Sequence, residues 1–228
     1  DRTSPRARLK ASLDQILTLD YDRSKVKIAV ESKVFGIGIE SYTVGSHEFY
    51  MNYAARNQLL CLLDSGHYHP TEMISDKISS MLLFSDELAL HISRPVRWDS
   101  DHVVLYDDET RQIAQEIIRS DVRRVRIATD YFDASINRIA AWVIGVRSVQ
   151  KALLNALLTP QATLAELQRQ RRFTELMALQ EQLKMASLGA VWDVFCQRQG
   201  VPGESEWLKE VQDYECRVLV KREKEEQA

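Results

Sequence analysis

Leu59-Leu60-Cys61-Leu62-Leu63-Asp64 is a short apolar run that stops on a carboxylate. A run of that length, rich in large aliphatic residues, suits a strand buried on both faces, as in a parallel sheet. Three further segments share the form. Val26–Val30 is followed by Glu31, Leu88–Ile92 contains His91, and Val125–Thr129 is followed by Asp130. A stretch with helical patterning follows each run. Ser46 is placed to cap a helix through Tyr53, and Pro70 to open one through Leu82. Asp107 and Asp108 precede the helical Arg111–Arg119, and Asp133 precedes a long helix from Ala134 to Leu158. Strand and helix alternating every 30 to 40 residues or so predict parallel βαβ units and an α/β fold.

Beyond Leu158 the strand signal ends. Thr159-Pro160 breaks the helix, and Thr163-Leu164-Ala165-Glu166 has the spacing of a capping box. Helices are expected over Val191–Gln199 and from Ser205 onward, after the breaker Gly200-Val201-Pro202-Gly203. Residues 1–158 therefore read as the second half of a (β/α)8 barrel, and 159–228 as a helical extension for packing or oligomerisation. Four βα units do not close a barrel, and an open parallel sheet leaves two unpaired edges. The chain also opens on Asp1 without an initiator Met. The expectation is that a missing N-terminal half completes the barrel, and that these 228 residues alone aggregate or stay unfolded.

Composition narrows the partners. With 45% hydrophobic and 28% charged residues the chain is that of a soluble globular protein. A net charge of -3 and the lack of a basic block argue against nucleic acid. No apolar stretch is long enough for a bilayer span, and Asp1–Pro5 carries no signal-peptide pattern. Cys61, Cys196 and Cys216 are odd in number and widely spaced, which suits buried thiols in a reducing cytoplasm better than disulfides or a thiolate metal site.

In a parallel barrel the strand C-termini converge on one face, where active sites sit. Glu31, Asp64, His91 and Asp130 reach that face from four successive strands and together make a divalent-cation site. Taken singly, a carboxylate after a strand is a turn former or helix cap, and His91 in an apolar run is a hydrogen-bonded core histidine. A second group lies beside the first. His67 follows Asp64 by three residues, and Asp99 and Asp101 stand two apart, so extended backbone would aim both at one ion. Carboxylate and imidazole without thiolate favour Mn²⁺ or Mg²⁺, with Zn²⁺ or Co²⁺ as substitutes. His69 and His102 flank this group as ligand-orienting candidates, and His47 reads as a surface or helix-start residue. Lys33, two residues past Glu31, points to the same side. Two roles suit it: neutralising charge on a substrate oxygen, or an ion pair with a nearby carboxylate.

Four segments carry a resemblance. They are Val30-Glu31-Ser32-Lys33-Val34-Phe35-Gly36-Ile37-Gly38, Asp64-Ser65-Gly66-His67-Tyr68-His69-Pro70-Thr71-Glu72, Ser93-Arg94-Pro95-Val96-Arg97-Trp98-Asp99-Ser100-Asp101-His102 and Phe132-Asp133-Ala134-Ser135-Ile136-Asn137-Arg138. They resemble the L-rhamnose isomerase family, and the likeness runs essentially from end to end of the chain. It implies a cytoplasmic, homotetrameric, Mn²⁺-dependent enzyme that interconverts L-rhamnose and L-rhamnulose. It also implies that Glu31, Asp64, His91 and Asp130 bind a structural ion. His67, Asp99 and Asp101 would bind a catalytic ion, Asp64 would bridge the two, and Lys33 would lie near the substrate O1. The expected catalytic groups are Lys33 and Asp130, the latter beside the oxygen that moves hydroxyl protons, with hydrogen passing from C2 to C1 directly rather than through an enediol. Two other readings stand beside this one: another metal-dependent sugar isomerase on the same barrel, or a non-catalytic scaffold subunit.

Overall fold

The computed structural model describes residues 1–32, 45–69, 71–96 and 101–222. Lys33, Pro70 and Asp99, each singled out from the sequence, lie outside the described residues. A first helix, α1 (Thr3–Ile16), leads into an alternation of strand and helix: β1 (Ala29–Ser32), α2 (His47–Asn57), β2 (Leu60–Asp64), α3 (Ser75–Leu82), β3 (Leu88–Ile92), α4 (Asp108–Ser120), β4 (Val125–Thr129) and α5 (Arg138–Leu158). All strand pairings are parallel and the sheet order is β1-β2-β3-β4, so each strand lies beside its predecessor and the order never reverses. The α/β expectation with a parallel sheet is met.

The pleat sorts side chains between the two sheet faces. Val30, Cys61, Leu63, Leu88, Leu90, Ile92 and Val125 share one core with Tyr53 and Ala54 of α2, Ile78 and Met81 of α3, Ile113 and Ile117 of α4, and Val149 of α5. Leu63, Leu88, Ile78 and Ile117 are wholly buried there. At about 1.5–3 kcal/mol for each large aliphatic side chain buried, this face dominates the local stability. The alternate residues look the other way. The register aligns Glu31, Leu62, Ala89 and Arg126 in one row and Asp64, His91 and Ala128 in the next, toward the strand C-termini.

Caps explain where the helices begin and correct several expected boundaries. Ser46 caps α2, accepting from Phe49 N–H, and Asp107 caps α4, accepting from Thr110 N–H. Helix α4 thus begins at Asp108 rather than Arg111. Helix α3 starts at Ser75, five residues after the expected start at Pro70, because Glu109 of α4 accepts from Ser75 N–H (3.0 Å) and Oγ–H (2.9 Å). Helix α5 starts at Arg138 rather than Ala134. Asn137 caps it, accepting from Ile139 and Ala140, whereas the expected cap, Asp133, closes a local turn onto Ser135. The first strand is Ala29–Ser32, not Val26–Val30, since Val26 N–H donates to Asp22 O in a turn and its side chain is exposed.

After α5 the chain is helical: α6 (Gln161–Arg169), α7 (Phe173–Lys184), α8 (Leu188–Gln199), α9 (Trp207–Tyr214) and a π-helical turn at Glu215–Leu219. Helix α6 begins at Gln161, directly after Pro160, so Thr163 lies inside it and its capping-box pattern is not used. Helix α8 docks on α5 through Arg147, whose guanidinium lies over the Trp192 ring and donates to Pro202 O at 2.6 Å. Among the described residues no helix is long and apolar enough to cross a membrane.

Candidate metal centre

The sheet face opposite the core carries the polar residues at its C-terminal edge. Asp64 ends β2 and His91 is its register partner on β3. Glu31 lies one row lower on β1, and Asp130 follows the end of β4. Their donor atoms converge. His91 Nδ1 stands 3.4 Å from Glu31 Oε1, 3.4 Å from Asp64 Oδ2 and 3.5 Å from Asp130 Oδ2. One donor atom from each of the four lies within 4.8 Å of all the others. These gaps exceed a hydrogen bond, yet suit donors around one cation, because bonds of about 2.1 Å put tetrahedral neighbours about 3.4 Å apart. Glu31 Oε1, Asp64 Oδ2 and His91 Nδ1 are buried with no hydrogen-bond partner among the described residues. A buried polar atom left this way costs free energy, and a cation would satisfy all three together.

A second set shares Asp64. Asp64, His67 and Asp101 also offer donor atoms mutually within 4.8 Å. The tight turn after β2, where His67 N–H donates to Asp64 O at 3.2 Å, folds His67 back over the strand end. Asp101 arrives from the loop after β3. There an isolated antiparallel bridge pairs Arg94 with His102 and sets Asp101 beside Ser93. His67 Nδ1 lies 3.4 Å from Glu31 Oε1 and His67 Nε2 lies 3.7 Å from Asp101 Oδ2.

Crowding leaves a mark on proton affinities. Burial, reinforced by the charge of Asp101, raises Asp64 to about 7. Burial would lower His67, but the Asp101 carboxylate with the charges of Asp64 and Glu31 outweighs it and raises the imidazole to about 9. Asp101 is held below its usual value against its own burial by His67 and a hydrogen bond from Ser93. Without a cation, the cluster retains protons to balance its carboxylates.

The residues singled out in sequence thus sort as follows. Glu31, Asp64, His91 and Asp130 come together, and His67 and Asp101 come together around Asp64. His69 Nδ1 bonds Thr71 Oγ1 at 2.7 Å, and His102 pairs with Arg94 through its backbone. His47 opens α2 and is half-buried rather than on the surface, with Nδ1 3.0 Å from Tyr68 Oη. Sequence reasoning passed over Ser65 and Ser93, which are buried against the carboxylates, because a serine after a strand carries no signal of its own. A cavity of about 560 Å³ lies elsewhere, at the N-terminal ends of the strands, lined by Tyr21, Arg23, Lys27, Phe84 and Glu87 among others. It contains none of the converging donors.

Comparison with known proteins agrees with the motifs. The family model for L-rhamnose isomerase (RhaA) matches residues 1–222. Curated L-rhamnose isomerases of Shigella sonnei (strain Ss046) and Escherichia coli (strain K12) are each 56% identical to the chain over 223 residues, covering 97% of it and 53% of their own length. The chain spans about half the length of the curated relatives it matches. A family match over nearly the whole chain, identity at that level and the strand-end donor set lead to one conclusion: the chain belongs to the L-rhamnose isomerase family.

Proposed function

We propose that this chain contributes the metal-binding half of an aldose–ketose isomerase that interconverts L-rhamnose and L-rhamnulose. The observation that carries the reading is the convergence of Glu31, Asp64, His91 and Asp130 from four successive parallel strand ends. Curvature supports a barrel. Across a flat sheet β1 and β4 would stand about 14 Å apart. Their donors, on Glu31 and Asp130, nevertheless approach within 4.8 Å, which requires the sheet to curl toward the face opposite its core. The unreversed strand order supports the same arc, with the remaining strands supplied by a segment outside this chain. Helices 161–222 serve as the packing or oligomer-forming extension of a cytoplasmic homotetramer.

The donor chemistry suits Mn²⁺, with Mg²⁺, Co²⁺ or Zn²⁺ as substitutes. One ion would be held by Glu31, Asp64, His91 and Asp130, and the other by Asp64, His67 and Asp101 together with Asp99. When bound, the ions supply Lewis-acid polarisation of adjacent sugar oxygens. Asp64, wholly buried and common to both donor sets, would serve both ions. The reaction moves a hydrogen from C2 to C1 and a proton from O2 to O1. Asp130, with its side chain 61% exposed at the rim of the site, would take the hydroxyl proton and return it. Lys33, which lies outside the described residues, would serve as the cation toward O1 that the family resemblance implies.

Replacing Asp99→Asn and Asp101→Asn together in the complete, assembled enzyme tests this directly. L-rhamnose turnover is expected to disappear while the circular dichroism spectrum and elution volume stay those of the parent. Undiminished turnover would contradict the assignment.

A further inference from the structure

Behind the converging donors stand two buried serines, Ser65 and Ser93, 5% and 4% exposed. They tie the end of β2 to the end of β3. Ser65 N–H donates to His91 O at 3.0 Å, Ser65 Oγ–H donates to Ser93 O at 2.8 Å, and Ser93 N–H donates to Ser65 Oγ at 2.7 Å. This exchange uses the Ser65 hydroxyl and the Ser93 backbone; the Ser93 hydroxyl lies 3.4 Å from Ser65 Oγ, and two carboxylate oxygens stand closer to it. Ser93 Oγ lies 3.1 Å from Asp64 Oδ1 and 3.0 Å from Asp101 Oδ1. One hydroxyl hydrogen serves two carboxylate oxygens, so whichever accepts it, the oxygen of Ser93 sits between them.

The two carboxylates are thereby oriented alike. Asp64 Oδ1 receives a second donor, Gly66 N–H at 2.7 Å, while Asp64 Oδ2 has no hydrogen-bond partner among the described residues. On Asp101, Oδ1 is the oxygen held by Ser93 and Oδ2 is the one facing His67. Each carboxylate has one oxygen fixed to the scaffold and the other presented to the donor cluster.

We propose that Ser93 is a positioning residue whose hydroxyl bridges Asp64 and Asp101 and sets the spacing at which their Oδ2 atoms meet a divalent cation. This rests on the metal-binding reading above. Such supporting hydrogen bonds act on affinity, because a ligand left to rotate must be ordered again at each binding event.

The replacement Ser93→Ala isolates the hydroxyl, since alanine keeps the N–H and C=O that pair with Ser65. Calorimetric titration of the metal-stripped, complete enzyme with MnCl2 is the measurement, with thermal unfolding of the metal-free protein recorded alongside. Affinity for the ion held by Asp64, His67 and Asp101 is expected to fall by roughly tenfold to a hundredfold. The unfolding temperature of the metal-free protein should barely move, and Ser93→Thr should restore the affinity. Parental affinity in Ser93→Ala would overturn the proposal. So would an affinity loss that tracks a matching drop in unfolding temperature and is not rescued by threonine. If Ser93→Ala does not fold, Ser93→Cys, a weaker donor of similar size, carries the same comparison. Absence of Mn²⁺ binding by the parent enzyme would instead overturn the metal-binding reading, and this proposal with it.

Discussion

Asp64 shows at the level of one side chain how the site is poised. It is wholly buried, shared by both donor sets, and raised to about 7 by burial and the neighbouring Asp101 charge. His67, raised to about 9, holds a proton at neutral pH that it must lose before it can ligate. The sign follows. Metal binding at pH 7 displaces the His67 proton and part of one shared with Asp64, so affinity for Mn²⁺ should rise with pH from about 7 to about 9 and level off above. Calorimetry of the complete enzyme in buffers of different ionisation enthalpy reads the protons released. An uptake of about one proton or more per ion is expected in the buffer at pH 7, and pH-independent binding with no proton release would contradict it. Glu31, Asp64, His91 and Asp130 were legible in sequence because each interrupts or directly follows an apolar run, and His67 and Asp101 because of their spacing from Asp64 and Asp99. Ser65 and Ser93 were not, because a hydroxyl next to a strand end is equally at home as a turn former.

At the scale of elements, Gly145 sets two known effects against each other. It lies in the interior of α5, where alanine is favoured over glycine by about 1 kcal/mol. Yet a Cβ there would come within 2.1 Å of Tyr131 Oη, which donates to Trp142 O at 2.8 Å. Overpacking of this kind costs about 1–3 kcal/mol, so the clash outweighs the propensity. Gly145→Ala should destabilise the complete protein by about 1 kcal/mol in denaturant unfolding. In a Tyr131→Ala background the same substitution should be neutral or stabilising. Equal destabilisation in both backgrounds would show that Tyr131 is not the cause. The contact also bears on the site, because Tyr131 follows Asp130 directly.

The strands show what sequence can resolve. Leu88–Ile92 and Val125–Thr129 stand where their apolar runs predicted, since burial pins every position, whereas β1 begins later than its apolar run because a turn claims Val26. Helix α1 escaped notice because it buries none of its residues completely, and a helix without a buried face leaves little periodicity to read. Helix α3 was misplaced because its start is fixed by Glu109, distant in sequence.

For the whole molecule, the charge balance and the sheet agree. The sheet face opposite the core carries Lys27, Glu87 and Arg126, with Arg126 Nη2 2.6 Å from Glu87 Oε1, and edges β1 and β4 are unpaired among the described residues, which supports the proposed half-barrel. The length relation to the curated relatives accords with that proposal. On the proposed reading, the strand ends of this half bind divalent ions. Anomalous diffraction at the manganese edge, from crystals of the complete enzyme loaded with Mn²⁺, locates them. One peak is expected among Glu31, Asp64, His91 and Asp130, and a second beside Asp64, His67 and Asp101. A map with no peak at either place, or with manganese bound only elsewhere, would contradict that reading.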